Sequence, residues 1–245
     1  MAEATTDGDL GTLLAVFAHP DDEAYLAGGL MAVAADAGRS VTCVTATRGE
    51  LGFADDDPRS VEERMAVREA EMKACLDLLG VNDHRWLGFA DGGCAAIDPA
   101  GPVGRLAEIL DEIRPDTVVT FGPDGQTYHP DHIAVSGWTT QAVRASGSGI
   151  RLLYSAMTPE WGRNFTAMVP IEQVMMTDDP LPTVPADELA LWFRCDVELA
   201  ARKVRALRAQ ASQVEPLVRA FGLEAYVQLT RDEFFRAPTP GDWVA

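Results

Sequence analysis

Three of the four histidines in this 245-residue chain fall in two short polar clusters, His19-Pro20-Asp21-Asp22-Glu23 and His129-Pro130-Asp131-His132. Only His84 lies elsewhere, and it reads as an ordinary surface residue. A catalytic zinc site uses three protein ligands drawn from His, Asp and Glu and keeps a fourth position for water. The two clusters together offer two histidines and a carboxylate for such a set, and a spare carboxylate to act as general base on the water. The same residue types have other uses. Histidines and aspartates cap helices and satisfy loop backbone. Two histidines and one carboxylate also make the facial triad of non-haem iron oxygenases, although such sites usually occupy β-barrels. A non-catalytic metal- or sugar-binding module would hold a metal without turnover, but has no use for a base beside an open metal position.

The flanking segments show how the clusters are carried. Thr12–Ala18 is a short apolar run that ends abruptly at His19, as a buried parallel strand running into a loop does. A helix follows from Ala24 to Ala37, stopped by Gly38. Val41–Ala46 reads as a second strand, and Arg48–Gly52 opens a loop containing Asp55, Asp56 and Asp57. Ser60 with Glu63 has capping-box spacing for a helix over Val61–Leu79, ended by Gly80. Arg85–Gly88 reads as a third strand, followed by the glycine-rich loop around Ala90–Gly93. A helix over Val103–Ile113 leads to a fourth strand, Thr117–Phe121. The loop Gly122–His129 delivers Pro130 at the start of a further helix, and Arg151–Ala156 is a fifth strand. Beyond it the pattern predicts a strand at Val174–Met176, a long helix over Glu188–Ala211, a short helix after Pro216 and an edge strand near Glu233–Phe235. Alternating strands and helices imply an α/β protein with an open, mostly parallel sheet and helices on both faces. In such a sheet the loops at the carboxyl ends of the strands converge, and both histidine clusters follow strands, the first and the fourth.

Composition excludes several function classes. With 38 acidic against 20 basic residues, a net charge of −18, and no basic face, the chain is not expected to bind nucleic acid or anionic lipid. No apolar run is long enough to span a bilayer, and Met1–Asp9 lacks the basic start and apolar stretch of a signal peptide. Met1–Leu10 reads as a frayed tail. Cys43, Cys75, Cys94 and Cys195 form no CxxC pair, and read as reduced, mostly buried thiols of a cytoplasmic protein. Base rates point to a homo-oligomer.

Several short motifs resemble the LmbE-like (PIG-L) N-acetylglucosaminyl deacetylases. They are Ala18-His-Pro-Asp-Asp-Glu23, Thr47-x-Gly49-Glu50, Arg68-x-x-Glu71, Leu87-Gly-x-x-Asp91-Gly92 and His129-Pro-Asp-His132, with Lys203 through Ser212-Gln213 similar to the family's late basic helix. The resemblance implies a Rossmann-like fold in a single domain over residues 1–245, with an α/β core at 10–160 and a C-terminal helical extension at 161–245. It implies Zn2+ held by His19, Asp22 and His132, and a His–His–Asp set also accepts Fe2+ or Co2+. Asp21 would be the general base, and His129 a cation or proton donor beside the metal. Asp131 would sit behind His129 and keep it charged. Arg68 and Asp91 would face the sugar, with Glu50 and Tyr128 as further substrate contacts. The implied reaction is hydrolysis of the N-acetyl group of a small amino-sugar substrate, or of an amide in a thiol–sugar conjugate. Glu23 reads equally as a residue that favours the following helix N-terminus. Leu51 stands where the family often has an acid, and Gln210 where its last helix often has a histidine.

Overall fold

A computed structural model describes residues 10–147, 149–169 and 174–243. The expected tail over residues 1–9 lies outside the described residues, whereas Leu10 is buried. Seven strands form one sheet: β1 (Leu13–Phe17), β2 (Val41–Thr47), β3 (Asp83–Phe89), β4 (Thr117–Phe121), β5 (Arg151–Ala156), β6 (Leu191–Arg194) and β7 (Asp232–Arg236). Their order is β3-β2-β1-β4-β5-β7-β6. The first five strands pair in parallel, and β7 joins β5 antiparallel, with β6 outside it. Every residue of β1, β2 and β4 is buried, so the threonines of β2 and β4 are enclosed with the apolar residues and no polar-out alternation marks these strands.

Nine α-helices are described: α1 (Asp22–Asp36), α2 (Val61–Leu79), α3 (Ala100–Ile113), α4 (Gly125–Tyr128), α5 (Pro130–Ser146), α6 (Pro159–Met168), α7 (Val197–Ala209), α8 (Ala211–Phe221) and α9 (Leu223–Thr230). Helices α1, α2 and α7 pack on one another on one face of the sheet, and α3 packs on α5 on the other. The expected capping box opens α2: the Ser60 hydroxyl accepts from the Glu63 N–H, and the Glu63 carboxylate accepts from the Ser60 N–H. None of the described helices is long and apolar enough to cross a membrane.

The C-terminal third departs from the expected pattern. The long helix over Glu188–Ala211 is instead a short 3-10 turn, strand β6 and then α7, which begins where the Asp196 side chain caps the Leu199 N–H at 2.8 Å. Val174–Met176 is a turn and bend, held by one backbone bond from the Met176 N–H to the Thr127 carbonyl. The short helix expected after Pro216 is present as α9, and a further helix, α8, begins at Ala211 with Pro216 inside it. The strand at Glu233–Phe235 is not an edge, since β6 covers it. The C-terminal segment therefore adds two strands to the sheet as well as helices.

Between β1 and β4 the strand order changes direction. The loops leaving these two neighbours open a crevice at the carboxyl edge, the place where open α/β sheets bind ligands.

Candidate active site

The loop after β1 makes a tight turn. Asp21 has φ 99° and ψ −31°, a conformation that costs a non-glycine residue on the order of 1–3 kcal/mol. The neighbours that hold it are specific. The Asp21 N–H donates to Glu23 Oε2 at 3.0 Å, and the Arg68 guanidinium donates to the Pro20 carbonyl and stands 3.5 Å from Asp21 Oδ2. Glu23 is fully buried and takes a second bond, 2.8 Å, from the side-chain amide of Gln210 at the α7–α8 junction. Burial raises the Glu23 carboxyl to about 8. Gln210 thus reaches the catalytic loop through Glu23, a connection that the sequence reading left undecided.

The loop after β4 brings in the second cluster. Gly125 has φ 63°, and a Cβ there would lie 2.9 Å from the His132 Cβ, so glycine is required at this approach. Its carbonyl lies 2.9 Å from His132 Nδ1, which makes Nδ1 the protonated nitrogen and leaves Nε2 with its lone pair. The His132 ring stacks on Phe121 with centroids 4.1 Å apart.

These two loops bring together two ring nitrogens and both oxygens of one carboxylate, of which Asp22 Oδ2 also accepts from the His19 N–H at 2.8 Å while Oδ1 has no such bond among the described residues. His19 Nδ1 is 3.1 Å from His132 Nε2, Asp22 Oδ2 is 3.6 Å from His19 Nδ1, and Asp22 Oδ1 is 3.5 Å from His132 Nε2. Zinc bonds of ~2.0–2.2 Å in tetrahedral geometry place neighbouring donors about 3.3 Å apart, which these distances bracket. The set His19, Asp22 and His132 therefore fits a zinc ion. Two overlapping groups also come within 4.8 Å, His19 with His129 and His132, and His19 with Asp91 and Asp131. In the latter the acids meet the opposite nitrogen of His19 and are occupied by backbone N–H groups. In the former, His129 Nδ1 is occupied by the Asp131 N–H at 3.1 Å.

The charges agree with this division. Burial works against the Asp22 carboxylate, yet His132 and His19 hold it down to about 2. Burial likewise disfavours a charged His19, but its bonds to Asp131, Asp22 and Asp91 outweigh that and raise its pKa well above the ordinary value. A divalent cation would replace the proton on His19 Nδ1. Burial lowers His132 to about 4 and also lowers His129. Burial pushes Asp21 up to about 6 against the opposing Arg68 guanidinium.

Several residues expected here have other partners. The Asp131 carboxylate does not back His129. It accepts from the Gly92 and Cys94 N–H groups at 2.8 and 3.0 Å and meets His19 Nε2 at 3.3 Å, because the α5 N-terminus turns it toward the β3–α3 loop. Asp91 meets His19 Nε2 at 3.1 Å and accepts from the Leu51 N–H at 2.8 Å, while its own N–H donates to Glu50 Oε1 at 3.0 Å. Asp91 and Glu50 thus clamp two loops together. Arg68, 2% exposed, lies beneath the Asp21 turn. Asp91 is held by protein partners, whereas Arg68 Nε and Nη1 and Glu50 Oε2 are buried without a hydrogen-bond partner among the described residues. The Tyr128 hydroxyl donates to the Pro180 carbonyl. Leu51 is 61% exposed beside Gly92, at the rim. His84 is no ordinary surface residue: its Nε2 lies 3.0 Å from the Thr45 hydroxyl, its ring packs on Trp86, and burial lowers it to about 4.

A buried ion pair was not anticipated. Lys203 Nζ donates to the Tyr25 carbonyl at 2.8 Å and to Glu233 Oε1 at 2.5 Å, and Glu233 accepts from the Gly29 and Leu30 N–H groups at 2.6 and 3.0 Å. The pair engages both ends of one turn of α1, the helix that begins at Asp22.

Comparison with known proteins gives this geometry its context. Residues 14–143 match the family described as PIG-L, GlcNAc-PI de-N-acetylase. The 1D-myo-inositol 2-acetamido-2-deoxy-alpha-D-glucopyranoside deacetylase of Kineococcus radiotolerans is 34% identical, over 82% of this chain and 68% of that one. Among solved structures, the N,N'-diacetylchitobiose deacetylase of Pyrococcus horikoshii superposes with TM-score 0.63 at 23% identity, over 95% of this chain and 85% of that one. The 4-carboxy-2-hydroxymuconate hydratase of Pseudomonas putida KT2440 superposes with TM-score 0.62 at 16% identity, over 94% and 97%. A hydratase and a deacetylase on one fold mean that shape alone does not choose the reaction. The sequence likeness does choose, and by it the chain is a member of the PIG-L family of metal-dependent deacetylases, hydrolases of a non-peptide C–N bond.

Proposed function

We propose that this chain is a zinc-dependent hydrolase of the N-acyl group of an N-acetylglucosamine-type amino sugar or its glycoside. The observation that carries the reading is the convergence of His19 Nδ1, His132 Nε2 and the Asp22 carboxylate at 3.1–3.6 Å, with Asp21 in the same turn. Zinc held there by His19, Asp22 and His132 supplies Lewis acidity at the acyl carbonyl, and iron or cobalt is an acceptable substitute for this donor set.

The remaining steps belong to the chain's own side chains. Asp21, raised by burial to about 6 and braced by Arg68, takes a proton from the attacking water. The Asp131 N–H occupies His129 Nδ1, so the proton of neutral His129 resides on Nε2, which donates to the developing oxyanion. Asp21 then returns its proton to the leaving nitrogen. Asp131 and Asp91 hold the far nitrogen of His19 and fix its ring, a positioning role. The four buried, free thiols suit the reducing cytoplasm.

The test is acetate release by the zinc-loaded protein from N-acetylglucosamine and a panel of its glycosides, the inositol glycoside among them. Acetate and free amine in equal amounts from at least one member are expected. Absence of both from every member, with zinc bound at one per chain, would contradict the reading.

A further inference from the structure

A cavity of about 460 Å³ opens from Asp21, Asp22 and His132, and neither Asp91 nor Glu50 lines it. Its walls are apolar, with Leu26, Met157, Trp161, Phe165, Phe221 and Phe234 prominent. It has room for on the order of fifteen groups of water size at ~30 Å³ each. The methyl of an acetyl group fills one.

The polar side chains on these walls are mostly committed. Glu233 holds Lys203, Asp232 pairs with Arg194, and Gln213 donates to the Gly52 carbonyl. Thr230 donates to the Tyr226 carbonyl, and the Tyr226 hydroxyl donates to that of Tyr25. The Tyr25 hydroxyl, which accepts from Tyr226, keeps its own proton, and Gln126, Thr127 and Gln213 keep part of their capacity. These groups are scattered among apolar walls, and each buried hydroxyl of a hexose left without a partner carries a penalty. Hydrocarbon carries none.

We propose that this cavity receives the acyl chain of the substrate, and that the preferred amide bears an acyl group longer than acetyl. This rests on the reading above that the centre hydrolyses an N-acyl amino sugar. Of the two halves of such an amide, the nitrogen carries a polar sugar ring and the carbonyl carbon carries a hydrocarbon chain, so the chain is the half that matches an apolar cavity whose wall includes Asp21, Asp22 and His132. An apolar aglycone would reach the same space only with the sugar ring interposed, its hydroxyls against the apolar wall. The chemistry is ordinary amide hydrolysis. The C–N bond breaks, water delivers oxygen to the acyl carbon and hydrogen to the nitrogen, and the products are a carboxylic acid and a free amine.

The experiment measures amine release by the zinc-loaded protein from glucosamine acylated with two, four, six and eight carbons, beside the methyl and octyl glycosides of N-acetylglucosamine. Burial of each methylene is expected to raise kcat/KM roughly fourfold, so hexanoyl should exceed acetyl on the order of a hundredfold. Ala156→Phe, which puts a ring into the cavity, should bring the hexanoyl-to-acetyl ratio close to one. Phe165→Asp, at a half-buried wall position, should lower the same ratio should the first variant fold poorly. Acetyl turnover with a flat acyl series would overturn the proposal and leave the deacylase reading standing, as would a gain confined to the octyl glycoside. Failure of every amide would sink that reading instead. The cavity is then read by calorimetry with acetate and octanoate: tighter octanoate binding, weakened by Ala156→Phe, is expected, and equal affinities contradict the proposal.

Discussion

The parallel strands β1 to β5 and the antiparallel pair β7–β6 share one sheet, yet their polar residues do different work. At the carboxyl edge of the parallel part, His19, Asp22, His132, Asp91 and Asp131 meet side chain to side chain within 3.1–3.6 Å. The C-terminal segment that carries the antiparallel pair sends Glu233 from β7 and Lys203 from α7 into α1, and Gln210 from the α7–α8 junction to Glu23, so its polar atoms brace α1 and the loop that precedes it. It also supplies apolar residues to the cavity beside the centre. The polar cluster thus sits on loops of the parallel scaffold, and the loop after β1 is braced from a part of the chain more than 170 residues away in sequence, as Gln210 to Glu23 shows with a separation of 187.

This division can be broken experimentally. The largest effect is expected in the parallel part: Asp22→Ala should remove zinc from the isolated protein and reduce acetate release to background, with little change in thermal stability of the metal-free form. Retention of stoichiometric zinc would move the ligand set elsewhere. Next comes the antiparallel part. Lys203→Met leaves Glu233 as an uncompensated buried charge and should cost about 3–5 kcal/mol in chemical denaturation. Pairing it with Glu233→Gln should recover part of the loss. A Lys203→Met protein of unchanged stability would show that the pair does not hold α1. The smallest effect is expected where the two parts touch. Gln210→Ala removes one partner of buried Glu23 and should cost about 1–3 kcal/mol, at ~2–4 °C of Tm for each kcal/mol. Because Glu23 also holds the Asp21 N–H, kcat should fall roughly tenfold while zinc stays bound. A variant that loses stability but keeps kcat would confine Gln210 to a structural role.

The same division explains what the sequence made legible. β1, β2 and β4 are buried on both faces, β1 wholly apolar and β2 and β4 mixing threonine with apolar residues, and each is followed by a loop that carries one of the motifs. The gathering of His19, Asp22 and His132 within 3.1–3.6 Å could be expected because they lie in two compact clusters. The roles behind it could not. Asp131 follows His129 in sequence but turns its carboxylate to His19, since the helix N-terminus and the Gly92 and Cys94 N–H groups fix its direction. Gln126 and Tyr128, with φ of 66° and 58°, shape the β4–α5 loop through backbone conformations that no residue pattern announced. In the C-terminal third, β6 has four residues, and its stability as a strand comes from pairing with β7, forty residues later. The run Glu188–Ala211 therefore passed for one helix, although Asp196 carried an N-cap signal in plain view. The Lys203–Glu233 pair and the apolar cavity are products of tertiary packing, and local periodicity holds no record of them.

The most direct test of the account is a paired measurement on Asp21→Ala: bound zinc per chain, and acetate release from the best substrate of the glycoside panel. The account predicts zinc at one per chain, as in the unaltered protein, with kcat lower by on the order of 10²–10⁴-fold because the base is gone and the donor set is intact. Full activity in Asp21→Ala with zinc bound would contradict it, since the proton of the attacking water would then have another acceptor.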